Sequence, residues 1–290
     1  MTQTTKTVLL SILVSLAVTF TAANWLGWGG MSQTKSAEKE SVFDRVMRTK
    51  TIRCGYFIRP GFLMKDVNTG EFSGIAYDYA EEMAKSLSLN IEWAEEIGGG
   101  DVASSLQSNR IDAYCSTVWP TSARARAMDF VAPIALTPLI VMVRENETRF
   151  TGDYAQLNDP QYSASYIDGS TMALMTQRAF SRAQQHSLPQ LTSLMEPVND
   201  VANGKADFAL SDSFIGHDYI AKNPGKIKIL NAKPVGMYTN ALFIKQDEYK
   251  FKRMLDVATL ELINTGVIEK IIKKYDKYDG TILPVPIGAN

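Results

Sequence analysis

Between Thr7 and Thr34 the chain carries no charged residue, and Val8 to Phe20 is almost wholly apolar. Beyond about residue 40 the pattern changes to short apolar runs alternating with amphipathic stretches. Thr51–Tyr56 reads as a strand. Ile75–Leu89 sets Ile75, Tyr79, Ala80, Met83, Ala84 and Leu87 on one face at the 3.6-residue period, which predicts a helix ended by Asn90. A strand over Ile91–Ile97, a helix over Val102–Ser108 and a strand over Ile111–Ser116 follow. A second set repeats the theme: strand Ser163–Ile167, helix Met172–Ala183, helix Val198–Asn203, strand Ala206–Leu210 and helix Phe214–Ala221. The C-terminal part is helical from about Tyr249 to Tyr275, broken near Gly266. Strands and helices in alternation predict an α/β fold of parallel sheets flanked by helices.

The apolar N-terminal segment reads as an export element. Lys6 ahead of the run, with Thr21-Ala22-Ala23 after it, fits a secretory signal cleaved after Ala23. The uncharged stretch also continues through Trp25 and Trp28, and ~20 apolar residues suffice to span a bilayer. Residues 1–28 are therefore a cleaved signal peptide or an uncleaved anchor, and both place the remaining chain outside the cytoplasm. No cysteine follows the run, which excludes a lipoprotein anchor. Residues 29–40, small and polar, read as a linker.

Composition removes several classes of function. With 45% hydrophobic and 21% charged residues the chain is an ordinary globular one, and a net charge of −1 offers no basic stripe for nucleic acid. His186, His217, Cys54 and Cys115 are too widely spaced for a compact metal-binding motif, so neither metal nor cofactor is expected. Gly98-Gly99-Gly100 with Ala103 mimics a dinucleotide fingerprint. The acidic residue expected ~20 positions later is missing, and the glycines read as a flexible turn.

One internal echo organises the rest. Asn109 to Thr117 aligns without gaps with Gly204 to Asp212: a basic residue, an Asp opening a strand, and a Ser followed by a polar residue at its end. Two such α/β units facing each other would set Thr117 and Asp212 on opposite walls of one cleft, since ligands bind beyond the carboxyl ends of strands. Thr121-Ser122-Ala123-Arg124 places Arg124 in the first turn of a short helix, where a cation opposes the helix dipole; Arg126 reads as a surface residue. Asp168-Gly169-Ser170-Thr171 opens a helix with free N–H groups and hydroxyls. Arg124 with Ser170 and Thr171 makes an anion clamp, and Asp212 beside it a cation site. Together they suit a zwitterion, which points to a free amino acid.

The stretches Ile52-Arg53-Cys54-Gly55, Phe72-Ser73-Gly74-Ile75-Ala76-Tyr77-Asp78, Leu106 to Asp112, Arg124 to Asp129-Phe130 and Ala206-Asp207 to Asp212 occur in one order. In that order, with Gly266 and Ile268-Glu269-Lys270-Ile271, the chain from about Ser41 to Tyr278 resembles the family 3 bacterial extracellular solute-binding proteins. The resemblance implies a two-lobed periplasmic binding protein type II fold, each lobe a mostly parallel sheet flanked by helices, with the ligand cleft between lobes. Lobe 1 would be residues 41–145 plus 238–290, and lobe 2 residues 146–237. It further implies that Arg124 binds the ligand α-carboxylate with help from Ser170 and Thr171, that Asp212 binds the α-ammonium, and that Ser116 and Thr117 touch the ligand. Tyr56 and Phe62 join them as ligand-binding candidates. An ABC-transporter permease in the membrane would be the partner, and the protein a monomer.

Two positions depart from the family pattern. Trp119 replaces a Ser or Thr, and would stack on the ligand or wall the pocket. Arg59 replaces an aromatic, and would pair with an acidic ligand side chain or extend to solvent. In this fold Cys54 and Cys115 lie on neighbouring strands, within reach of a disulfide or as two packed thiols. Two other classes compete with transport. A cyclohexadienyl dehydratase-like enzyme on the same fold would need an acid or base, for which Glu96 and Asp168 are the candidates. The ectodomain of a signalling partner would use the possible anchor.

Overall fold

The computed structural model describes residue 3, residues 40–231 and residues 233–286. Apart from residue 3, the expected signal or anchor segment (1–28) and nearly all of the expected linker (29–40) lie outside the described residues. No helix among the described residues is long and apolar enough to cross a membrane. The folded unit runs from Ser41.

Ser41 opens α1 (Val42–Thr49) by accepting the Asp44 N–H at 3.0 Å, and Lys50 closes it in the left-handed region. The chain continues through β1 (Thr51–Tyr56), β2 (Met64–Lys65), β3 (Phe72–Ser73), α2 (Ile75–Ser86), β4 (Asn90–Glu96), α3 (Val102–Gln107) and β5 (Ala113–Val118). After a short 3₁₀ turn at Arg124–Arg126 come β6 (Met128–Phe130) and the long β7 (Ala135–Arg144). The second set is β8 (Ser163–Ile167), α4 (Thr171–Ala179), β9 (Gln184–Leu188), α5 (Glu196–Ala202), β10 (Phe208–Asp212), α6 (Ser213–Lys222) and β11 (Ile227–Ile229). Then β12 (Gly236–Lys245), α7 (Tyr249–Asn264), α8 (Val267–Tyr275) and β13 (Leu283–Pro284) complete it.

The main sheet runs β4-β1-β5-β12-β7-β10-β8-β9. Its two ends are parallel trios: β1 lies between β4 and β5, and β8 between β9 and β10. The alternation of elements predicted that much. The two long strands in the middle, β7 and β12, are antiparallel to each other and to the trios they border. The first part of β12, Gly236–Asn240, pairs with β7, and its second part, from Ala241, pairs with β5 and β6. These strands thus pass from one half of the sheet to the other.

Each half has a core on both faces. In the first half, Ile52, Ile75, Tyr79, Met83, Phe251, Leu255 and Ile271 pack together, and Val102, Leu106, Ile111 and Phe243 fill the opposite face. In the second, the strand period of two splits β7 between both cores. Leu139, Val141 and Val143 join one cluster, while Ile140 and Met142 join the other. A strand buried on both faces reads as a continuous apolar run.

The sequence echo is a structural repeat. Asp112 donates its N–H to Arg53 O (2.9 Å) and accepts the Arg53 N–H on its carboxylate (2.7 Å). Asp207 does the same with Ser163, at 2.8 and 2.9 Å. Each aspartate pins the start of its strand to the neighbouring parallel strand. Arg45 and Arg53 neutralise Asp112, while Arg144 and Arg149 neutralise Asp207.

Cys54 and Cys115 form a disulfide with Cα atoms 5.5 Å apart. Cys54 is registered against Ala113 of β5, so Cys115 stands diagonally across the strand pair. Gly74, at φ 118°, starts α2 where a Cβ would stand 2.4 Å from Phe62 O, so no larger residue fits without moving that turn.

Candidate functional site

The carboxyl ends of β5 and β10 converge on a cleft of about 850 Å3, open mouth included. Its walls carry Arg59, Trp119 and Arg124 from the first half of the sheet and Asp168, Thr171 and Asp212 from the second.

Arg124 begins the 3₁₀ turn, and Thr121 Oγ1 accepts its N–H at 3.2 Å. Its guanidinium donates from Nη1 to Thr171 Oγ1 (2.6 Å) and Trp119 O (3.3 Å), and from Nη2 to Gly169 O (3.5 Å). All three acceptors are neutral. Among the described residues Arg124 has no carboxylate partner, and desolvation holds its pKa below the ordinary arginine value, with Tyr114 acting weakly the other way. A partly buried cation short of an anion is a binding site for one. Arg126 is exposed, as expected.

Across the cleft, Ser170 caps α4, its hydroxyl accepting the Ala173 N–H at 3.1 Å, and Thr171 is the first helical residue. The rim beside them is closed. Gly100 N donates to Gln190 Oε1 at 3.1 Å, and a Cβ on Gly169 would stand 2.9 Å from Gly100 N.

Asp212 is 1% exposed and already paired. One carboxylate oxygen caps α6, accepting the Ile215 N–H at 3.0 Å. The other accepts Nε and Nη2 of Arg59, at 3.1 and 2.5 Å. Nη1 of Arg59 donates to Thr117 O and Asn240 Oδ1, both at 2.7 Å, and the guanidinium lies 3.9 Å above the Phe62 ring. Of the two expected roles of Arg59, extension to solvent does not hold: the side chain is buried and meets a protein carboxylate. The cause is local. Arg59 and Leu63 exchange backbone hydrogen bonds across a tight turn, at 2.8 and 2.7 Å, and Arg59 is 6% exposed.

The remaining predicted residues divide. Trp119 walls the cleft, but Tyr238 covers one ring face (4.6 Å between centroids, 12° between planes) and Nε1 donates to Thr137 at 2.8 Å. Ser116 lines the cleft with its hydroxyl engaged on Phe57 N and O at 2.7 and 2.9 Å. Thr117, at φ 47°, turns its carbonyl to Arg59, and its buried hydroxyl has no partner among the described residues. Tyr56 and Phe62 do not line the cleft; both belong to the first-half core, where Tyr56 packs edge-on against Phe72 and Trp93. Both sit where burial of a large ring outweighs exposure to a cleft. Asn240, Thr137, Tyr238 and Gln190 were not predicted. Three of them lie on β7 and β12, which have no local sequence signal of their function. Among the described residues no cluster of acidic, His or Cys side chains is placed to hold a metal ion.

Known proteins share this architecture. A structure of the ancestral amino acid-binding protein AncCDT-1, a precursor of cyclohexadienyl dehydratase, superposes with a TM-score of 0.71 at 20% identity, covering 81% of this chain and 99% of that one. The solute receptor for L-cysteine of Neisseria gonorrhoeae gives 0.70 at 18% identity, over 81% and 93% of the two chains. At this identity the likeness shows the fold. The amino-acid-binding protein AabA of Dichelobacter nodosus is 20% identical over 212 residues, 71% of this chain and 80% of that protein. Residues 52–277, most of the chain, match the bacterial extracellular solute-binding proteins, family 3, and the chain belongs to that family.

Proposed function

We propose that this protein captures a small carboxylate-bearing solute of the amino acid class outside the cytoplasm and presents it to the permease of an ATP-driven transporter. Lobe 1 would comprise residues 41–145 and 238–290, and lobe 2 residues 146–237. β7 and β12 would serve as the connection about which the lobes close. The observation that carries the reading is Arg124, a desolvated guanidinium in the cleft whose hydrogen-bond partners are all neutral. A ligand carboxylate supplies the missing charge, with Thr171 and the start of α4 as its second wall. Closure follows because that carboxylate touches both lobes and so binds the closed form better than the open one. The amino acid-binding relatives support the ligand class.

A thermal-shift screen of the full chain against amino acids, related carboxylic acids, polyamines and sugars tests this. Ligand at 100 times its dissociation constant adds about 2.7 kcal/mol, which raises the midpoint by roughly 5–11 °C at this chain length. Shifts from carboxylates that vanish in Arg124→Met support the proposal. Shifts from sugars or polyamines alone refute it.

A further inference from the structure

We infer that Arg59 is the built-in occupant of the Asp212 carboxylate, so that the cleft reads its ligand through the carboxylate on Arg124 and does not select for an α-ammonium. The inference rests on the carboxylate reading of Arg124 proposed above. It makes Arg59 a specificity-determining residue and extends the ligand class to small carboxylic acids lacking an amino group.

The geometry of the pair carries the argument. The Arg59 and Asp212 side chains are 8% and 1% exposed. Arg59 makes four hydrogen bonds, to Asp212, Thr117 O and Asn240 Oδ1, and rests on Phe62. Asn240 is itself held, donating to Thr137 Oγ1 and Ala135 O at 3.1 and 3.3 Å. A ligand ammonium at Asp212 would meet a carboxylate whose charge Arg59 already matches, and its full pairing there would come only by displacing this guanidinium. That would leave Thr117 O and Asn240 Oδ1 unpaired and a buried cation without a counter-charge. Arg59 already supplies to Asp212 the two donors and the positive charge that an ammonium would bring.

The other acidic side chain on the cleft wall is Asp168. It is exposed, and among the described residues it forms no ion pair. Water screens a charge there, so an amine near it gains little. Among the described residues the buried part of the cleft therefore holds one unmatched charge, the cation of Arg124, which a carboxylate alone neutralises.

Titration calorimetry with matched probes tests the inference: L-leucine with 4-methylpentanoate, L-glutamate with glutarate, L-arginine with 5-guanidinopentanoate, and L-cysteine with 3-mercaptopropanoate. For whichever pair binds, the two dissociation constants should agree within about fivefold, the ceiling an exposed charge contact allows. Arg59→Met exposes Asp212, and there the amino acid should overtake its partner by about tenfold or more. In the unliganded protein Arg59→Met and Asp212→Asn should each lower the thermal midpoint, and the double variant should lose less than their sum. Amino acids that bind wild type while their partners bind about thirtyfold or more weakly would overturn the inference, as would additive effects in the stability cycle. Silence from every pair refutes the carboxylate reading itself, a different result from selective binding of the amino acids.

Discussion

Replacing Arg124 by Met should have two opposite effects, one on stability and one on binding. Taking a guanidinium out of water costs several kcal/mol even after relaxation. A hydrogen bond from a charged donor offsets about 1.5–3 kcal/mol of that when well formed. Only the 2.6 Å bond to Thr171 meets that description; those to Trp119 O and Gly169 O, at 3.3 and 3.5 Å, are near the limit. The unliganded protein thus carries an imbalance on the order of 1 kcal/mol at Arg124, consistent with the direction of its pKa. Met keeps the unbranched stem and removes the charge. The unliganded midpoint should rise by roughly 2–4 °C. The same variant loses the charge-assisted contact to the ligand, a loss of about 2–5 kcal/mol, and its ligand-induced shift should disappear. Differential scanning calorimetry of both proteins, with and without the carboxylate found by the screen, reads both numbers. A fall of the unliganded midpoint by more than about 4 °C would mean that Arg124 is structural, and the reasoning would be wrong. Arg124→Lys should keep the charge yet bind weakly, because an ammonium lacks the planar fork.

Other predictions concern the frame of the cleft. Glu147, with its side chain 4% exposed, has its pKa lowered from 4.5 to about 2, chiefly by the hydrogen bond from Arg149. Because the folded value is the lower one, its contribution is present above the unfolded pKa and is lost as pH falls toward 2. The stabilisation at neutral pH is at most about 3 kcal/mol, so Glu147→Gln should destabilise near pH 7 and have almost no effect near pH 2. Chemical denaturation across that range checks it, and a pH-independent effect would refute it. Converting both Cys54 and Cys115 to Ala opens a loop with a sequence separation of 61, worth about 4 kcal/mol of chain entropy. The midpoint should drop by roughly 8–16 °C, and a drop below about 2 °C would contradict the loop argument. Gly169→Ala puts a Cβ at φ 67° and 2.9 Å from Gly100 N. Strain of about 1–2 kcal/mol and a wedge at the closed rim should weaken ligand binding in calorimetry, whereas unchanged affinity would show that the rim is free to open.

Much of the frame was legible in local pattern. Helix α2 and helices α7 and α8 follow from apolar residues at the helical period, and Gly266 breaks the C-terminal pair at φ 72°. The Asp112 and Asp207 echo was visible because each aspartate performs the same backbone task at the same offset from its strand. Helix α1 and strand β9 were missed. Strand β9 is polar and largely exposed, so it shows neither alternation nor an apolar run. Strand β7 is apolar but carries Pro138, which argues against a strand from sequence alone; in the sheet Pro138 sits opposite Met237.

The sequence by itself determined most of the helices and the strands of the two parallel trios other than β9, their order, the repeat, the equivalent strand ends at Thr117 and Asp212, and Arg124 shortly after the first of them. Periodicity and capping act within a few residues, and that information survives in one dimension. Tertiary structure alone decided which charges meet. Arg59 and Asp212 are 153 residues apart, and Arg59 and Asn240 are 181 apart. Their meeting depends on two long antiparallel strands folding one sheet half against the other. In sequence Asp212 looked like an open carboxylate awaiting a ligand. In the fold it is a buried anion with its cation already in place, and Arg124 is the charge left to match.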